Sequence, residues 1–167
     1  AAVVRSQLAH ARIEVDATPA LTAPGVVGVL TGADVAALSR PFPAGIETGT
    51  PQYAAAIDTV RYVGEPIAVV VARDRYLAED AAELVEVDYD PLPAVADTYG
   101  ATQPGAARVW PDVKNNVCFE LAWGDAQAVD TAFKRAARVV KVELENNRLV
   151  ANALEPRVAV ADYDPAT

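Results

Sequence analysis

The sequence predicts an α+β fold built from short strands and short helices. Apolar and charged residues alternate over residues 11–16, the period of a strand that is buried on one face. Continuous apolar runs at 26–30 and 67–72 have the length of strands. Residues 77–85 place their apolar side chains on one face of a helix. Both periods therefore occur close together in the first half of the chain.

Residues 1–40 are predicted to form a strand, a short helix, a second strand and a second helix. Thr18-Pro19 offers an N-cap followed by a proline at the first helical position, and Pro24-Gly25 ends that helix. The strand at 26–30 leads into Thr31-Gly32-Ala33-Asp34, a possible capping box for a helix that runs to Leu38.

Residues 40–57 hold prolines and glycines too closely spaced for a regular element, so a surface loop is expected there. The apolar run at 67–72 suits a central strand, and Asp74 can cap the helix that follows. Alternation over 85–89 predicts a further strand that Pro91 and Pro93 close.

Residues 91–116 are rich in proline and glycine and have little periodicity, which favours a domain boundary. Beyond it, Asp125 is expected to cap a helix whose end carries Lys134, Arg135 and Arg138, as the helix dipole favours. Alternation over 140–144 and an apolar stretch at 158–163 predict two more strands. Both ends of the chain fall within strand-like runs, which suggests a piece of a longer protein.

Composition excludes several classes of function. Apolar residues make up 52% of the chain and charged residues 22%, which is typical of a globular protein. The net charge of −9, without a basic cluster, argues against nucleic acid as a partner. No apolar run approaches the ~20 residues that span a bilayer, and the N-terminus lacks the order of a signal peptide. A cytoplasmic location is expected.

Cysteine and histidine are too scarce for a metal site made by this chain alone. Cys118 is the only cysteine and His10 the only histidine, whereas a closed zinc site usually needs about four such ligands. His10 could act as a general base, but no nucleophile stands in a recognisable motif beside it. Cys118 lies between Val117 and Phe119 and is expected to be a buried small hydrophobe.

Each group of acidic residues has two interpretations, a solvent-exposed surface position and a functional site. Asp88 with Asp90, or Asp162 with Asp164, could form paired carboxylates, but such pairs at strand ends are usually solvated turns. The acidic stretch of residues 79–83 is expected to face water from one helix. Glu155-Pro156-Arg157 could anchor a buried network or merely mark the start of an edge strand.

Three stretches resemble a known family. Residues 5–13 (RSQLAHARI), with PGV at 24–26 and LTGAD at 30–34, look like the start of the α/β-hammerhead domain of molybdenum hydroxylase large subunits. These are the xanthine dehydrogenases, aldehyde oxidases and aerobic carbon monoxide dehydrogenases. Residues 63–70 (VGEPIAVV) and 78–93 (AEDAAELVEVDYDPLP) carry the most specific resemblance. NNR at 146–148 with LEPR at 154–157 is similar to the segment that opens the family's molybdenum-binding region.

The resemblance implies a hammerhead domain over residues 1–98, a linker over 99–114 and an incomplete molybdenum-binding region over 115–167. It implies a mixed sheet with short helices, followed by the first strand, helix and strand of a second α+β domain. The chain would be the front portion of the large subunit and would act as scaffold and subunit interface. Its partners would be the remainder of that subunit and iron–sulfur and flavin subunits or domains, in an oligomeric assembly.

By the same resemblance, the complete enzyme would hydroxylate an aldehyde, a purine or a heterocycle, or oxidise carbon monoxide, with water as the oxygen source. A molybdenum–pterin would accept the electrons in the complete subunit, and iron–sulfur clusters and FAD on partners would carry them onward. This portion alone is expected to bind no cofactor and no metal and to contribute no catalytic residue. The family's glycine-rich loop and late glutamate have no counterpart here, and Gln7-Leu8 and Val158 depart from its usual residues.

The sequence allows two other hypotheses about function. The chain could be a stand-alone structural or binding module with a hammerhead fold. It could also be a small hydrolase that uses acidic residues such as Glu155 or Asp88. The substrate of any complete enzyme is not readable from these residues.

Overall fold

The structure is a computed structural model that describes residues 1–43, 45, 48–146, 153–155 and 158–164. The chain forms two compact units, Ala1–Ala122 and Trp123–Thr167. The division into hammerhead domain, linker and molybdenum-binding region is defined by family resemblance rather than by compactness, and it stays a prediction. Among the described residues, no helix has the length and apolar character needed to cross a bilayer.

The described residues of the first unit form six strands, four short α-helices and one 3₁₀ helix. The strands are β1 (Ala2–Arg5), β2 (Ala11–Asp16), β3 (Val26–Thr31), β4 (Thr59–Val60), β5 (Pro66–Ala72) and β6 (Glu86–Pro91). The α-helices are α1 (Thr18–Leu21), α2 (Gly32–Leu38), α3 (Arg75–Ala82) and α4 (Thr98–Ala101), and the 3₁₀ helix is Lys114–Asn116. The predicted α+β class is confirmed.

The strands form two three-stranded sheets, and the described strand pairs are antiparallel. In the first sheet β5 lies between β1 and β3, so the apolar run at 67–72 is a central strand as expected. In the second sheet β2 lies between β4 and β6. The predicted alternation on β2 is confirmed, because Ala11 and Ile13 are buried while Arg12 and Glu14 face water.

Strand β5 contributes to two hydrophobic clusters on its opposite faces. Ile67 packs with buried residues of the second sheet and of the loop before β4, namely Ala11, Ile13, Ala56 and Val60. Its neighbour Ala68 packs with Val70 and with buried residues of α1, α3 and the turn before β6, namely Ala20, Ala81 and Val85. Successive side chains of a strand point to opposite faces, so β5 joins the two clusters.

Local capping signals in the sequence are realised. Thr31 caps α2: its hydroxyl accepts the Asp34 amide, and the Asp34 carboxylate accepts the Thr31 amide at 2.8 Å. The bonds from Thr31 hold the pKa of the Asp34 carboxyl below its ordinary value. Asp74 likewise caps α3 through the Leu77 amide at 2.9 Å. At α1, Thr18 is the first helical residue rather than the predicted N-cap, because the Asp16 carboxylate accepts its amide.

In the second unit the predicted helix is present as α5 (Ala126–Arg135), capped by Asp125 with Lys134 and Arg135 in its last turn. The predictions of strands at 140–144 and 158–163 are wrong, because neither stretch forms a strand in the structure. Alternation of apolar and charged residues gives a segment one apolar face. A strand also needs a neighbouring strand that hydrogen-bonds its backbone N–H and C=O groups. The apolar side chains of both stretches are exposed in the described residues.

Gly32 generates a stability prediction, because a Cβ there would overlap the carbonyl oxygen of Ala56. We expect Gly32→Ala to lower the free energy of unfolding by about 3 kcal/mol, the scale of overpacking against a backbone that cannot yield. Urea unfolding of the 167-residue chain measures it. Gly28→Ala is the matched control: its Cβ would meet no atom within 4 Å, so its effect should stay within about 1 kcal/mol. Equal effects would contradict the close approach.

Candidate functional site

The most enclosed of the described cavities lies in the first unit and has a volume of about 260 Å³. Three parts of the chain line it: the loop that precedes β4, the residues Arg61 and Glu65 between β4 and β5, and the segment 110–112. Residues far apart in sequence thus meet at one place. It is the candidate functional site of this unit.

Arg61 is held in this site by backbone carbonyls and by an aromatic ring. Its Nη1 donates to the Thr59 carbonyl at 2.9 Å, and its Nε donates to the Val109 carbonyl at 3.3 Å. The guanidinium carbon lies 3.6 Å from the centre of the Trp110 ring. This stacking is a cation–π contact, which fixes Trp110 at the cavity.

Arg61 is not paired closely with a carboxylate. Among the described residues the ion pairs within 4.0 Å are Arg12–Asp90 and Arg75–Glu79. Burial lowers the pKa of Arg61, and the more distant charges of Glu65 and Asp58 oppose that shift. The guanidinium stays protonated at neutral pH, as arginine does in proteins.

Glu65 is a site residue that the sequence reasoning missed. It is 5% exposed, and its Oε2 accepts the backbone N–H of Arg61. Within the described residues no other hydrogen bond to this carboxylate is present. A carboxylate placed directly before an apolar strand was a usable signal, because ionised groups are rarely buried without a reason.

The segment that follows β6 is tied down by Asn116. Its side-chain amide donates to the carbonyls of Ala101 and Ala107, both at 2.8 Å, and its Oδ1 accepts the Val109 amide at 2.9 Å. Asn116 has a φ of +56°, a conformation that asparagine tolerates better than most residues. These bonds hold the chain beside Trp110 and so shape one wall of the cavity.

His10 lies away from this cavity lining and has a structural environment. Its ring is buried, and Nδ1 donates to the Pro93 carbonyl at 2.8 Å, while its backbone carbonyl accepts the Leu92 amide. No serine or cysteine side chain is hydrogen-bonded to the ring among the described residues. The geometry fits a residue that fastens the end of β6 to the start of β2.

The expectation for Cys118 is wrong. The thiol is free and the residue is exposed, as are its neighbours Val117 and Phe119. An apolar flank predicts burial only when another element covers it, and residues 117–122 form no regular element in the structure.

The other acidic candidates are solvated, and the structure does not bring them together into a site. Asp88 and Asp90 are exposed within β6, where Asp90 pairs with Arg12 at 3.7 Å. The acidic face of α3 is exposed as predicted, and Glu79 pairs there with Arg75 at 2.7 Å. Asp162 and Asp164 are also exposed.

Glu155-Pro156-Arg157 is only partly described. Glu155 is exposed, whereas Pro156 and Arg157 lie outside the described residues, so neither reading of the triplet is tested.

The described residues do not fit a molybdenum–pterin group. Among them, no set of three His, Cys, Asp or Glu side chains could hold a metal ion. The described residues that line the cavity include the acidic Asp58, Glu65 and Asp112 and one cationic residue, Arg61. Such a lining disfavours an anionic, phosphate-bearing cofactor.

Comparison with known proteins assigns the family. The family model of the aldehyde oxidase and xanthine dehydrogenase a/b hammerhead domain matches residues 1–93, more than half of the chain. The chain belongs to this family. Within it, the match covers both sheets and helices α1 to α3 and ends before the segment that carries Trp110 and Asn116.

Similar proteins include subunits of dehydrogenases. The carbon monoxide dehydrogenase large chain of Afipia carboxidovorans is 37% identical, over 96% of this chain and 21% of its own length. The gamma subunit of the 6-hydroxypseudooxynicotine dehydrogenase complex of Paenarthrobacter nicotinovorans is 38% identical, over 98% and 21%. The chain therefore spans about a fifth of the length of these relatives.

Solved structures agree with the sequence relatives. A Cu,Mo-CO dehydrogenase in its carbon monoxide reduced state has a TM-score of 0.68 and 37% identity, over 82% of this chain and 19% of that one. Quinoline 2-oxidoreductase from Pseudomonas putida 86 has a TM-score of 0.59 and 46% identity, over 65% and 14%. Both structures are similar to this chain in sequence as well as in fold.

Asn116 gives a prediction about the cavity wall. We expect Asn116→Ala to lower the free energy of unfolding by about 2 kcal/mol more than Asn115→Ala, because a hydrogen bond contributes about 1 kcal/mol net. Asn115 has a φ of +55° and no side-chain hydrogen bond to a described residue, so it controls for backbone strain. Urea unfolding of both variants makes the comparison. Equal losses would mean that the side-chain bonds do not hold the segment.

Proposed function

We propose that this chain is the front portion of the large subunit of a molybdenum–pterin oxidoreductase and serves there as scaffold and subunit interface. The main support for the proposal is how much of this chain and how much of each relative the sequence matches cover. Relatives match almost all of this chain, yet it spans about a fifth of their length. Most of such a protein therefore lies outside these residues.

The geometry supports a scaffold role rather than a catalytic one for this portion. The first unit has two hydrophobic clusters that meet at β5, which supports the proposal that it folds without a cofactor. The described residues offer no metal-ligand set. The proposal accordingly assigns no catalytic, cofactor-binding or metal-binding residue to this chain.

In the complete enzyme, the molybdenum–pterin would supply the two-electron redox chemistry, with water as the source of oxygen. Iron–sulfur clusters and FAD on partner subunits or domains would accept the electrons. An aldehyde, a purine, a heterocycle or carbon monoxide would be the substrate, since relatives are named for carbon monoxide, nicotine, xanthine and aldehyde reactions. An oligomeric assembly and a cytoplasmic location belong to the same proposal.

The test is the native mass and molybdenum content of the protein isolated from its source with an antibody against residues 1–122. We expect a species far larger than the 17.6 kDa of this chain, with molybdenum in proportion to the amount of chain. The recombinant 167-residue chain, treated in parallel, should contain none. A molybdenum-free species of 17.6 kDa, or a small multiple of it, would overturn the proposal and favour a stand-alone module.

A further inference from the structure

The cavity at Arg61 and Glu65 points to a binding site that is separate from the proposed scaffold role. We propose that it binds a small organic cation, an alkylammonium or alkylguanidinium ion. The charge of the cavity, its size and a carboxylate oxygen of the buried residue Glu65 to which no described residue is hydrogen-bonded all favour such an ion.

The lining has an uncompensated negative charge. Among the described residues that line the cavity, Asp58, Glu65 and Asp112 are acidic and Arg61 is cationic, a formal excess of two negative charges. Arg61 does not form a close ion pair with any described carboxylate, because its Nε and Nη1 donate to backbone carbonyls and its plane stacks on Trp110. The cavity therefore attracts a cation and repels an anion.

Glu65 supplies the specific contact. The residue is only 5% exposed, yet it lines the cavity, and Oε2 alone is hydrogen-bonded to a described residue. No fully buried side-chain oxygen of the described chain lacks a partner, so Oε1, to which no described residue is hydrogen-bonded, keeps some solvent-accessible surface. A carboxylate oxygen in this position accepts an N–H⁺ donor, and the charge on the donor strengthens that bond.

The walls select an organic ion over a metal ion. Ala55, Ala56 and Ile57 present carbon atoms, and Trp110 presents its indole ring. No three metal-ligating side chains converge among the described residues. The volume of about 260 Å³ lies below the range of drug-sized pockets, which begins at about 300 Å³. In an ion of this class, the ammonium or guanidinium group pairs with the Glu65 carboxylate, and the short alkyl chain contacts the apolar wall.

Trp110 allows a direct test, because the chain has only two tryptophans and Trp123 lies in the other unit. In the Trp123→Phe variant of the 167-residue chain, Trp110 is the sole indole reporter. We expect butylguanidinium to change its fluorescence saturably with a Kd of about 1 mM, a reasonable affinity for so small a ligand. Butylurea is the neutral isostere of butylguanidinium. Butylurea, Mg²⁺ and inorganic phosphate should each give no saturable change in the fluorescence of Trp110.

Variants locate the site. Glu65→Gln should weaken butylguanidinium binding at least about tenfold, as expected when a buried charge partner is lost. Asp112→Asn, at an exposed position, should weaken it about threefold. The control Glu79→Gln removes an exposed carboxylate outside the cavity and should leave the Kd unchanged. Circular dichroism checks folding, and if Glu65→Gln is unfolded, Asp112→Asn decides.

Three outcomes would overturn the inference. They are the absence of saturable binding of butylguanidinium, equal binding of butylurea, and a Kd that neither Asp112→Asn nor a folded Glu65→Gln changes. Each is independent of the molybdenum content of the native protein, so this inference and the proposed function fail separately.

Discussion

Strand β5 is buried on both faces at Ile67 and Ala68, and the rest of the first unit depends on that placement. Ile67, Ala68 and Val70 have no exposed surface, although adjacent residues point to opposite sides of the strand. One side meets the second sheet and the other meets α1 and α3. A polar residue at either Ile67 or Ala68 would therefore damage one cluster and, through the shared backbone, the position of the other.

The cavity inherits its geometry from the start of the same strand. Glu65 directly precedes β5, its carbonyl accepts the Ser6 amide, and the Pro66 carbonyl accepts the Ala56 amide, both at 2.8 Å. The backbone of Ala56 is in turn approached closely by Gly32. Ala56, in the loop before β4, is thus held from two sides, although the described residues of that loop form no regular element. A carboxylate and the loop that faces it are fixed by the register of one strand.

Local sequence signals predicted the parts of the fold that local interactions determine. The alternation on β2, the capping box of Thr31 and Asp34, and the caps at Asp74 and Asp125 each depend on residues a few positions apart. The failures depend on partners that periodicity does not reveal. Cys118 and the stretches 140–144 and 158–163 have apolar patterns, but no described element covers or pairs with them. The stacking of Arg61 on Trp110 joins residues too distant in sequence for any local pattern to show it.

We expect the first unit to fold without a cofactor, because its two hydrophobic clusters meet at β5. Amide hydrogen exchange on the recombinant 167-residue chain, prepared without molybdenum, tests this most directly. We expect the β5 amides of Ala68 to Val70, together with those of β2, to be the slowest to exchange, at the rate of global unfolding. Rapid exchange of the β5 amides in a chain that retains its secondary structure would contradict it, and would mean that the strand is ordered only by the remainder of a larger protein.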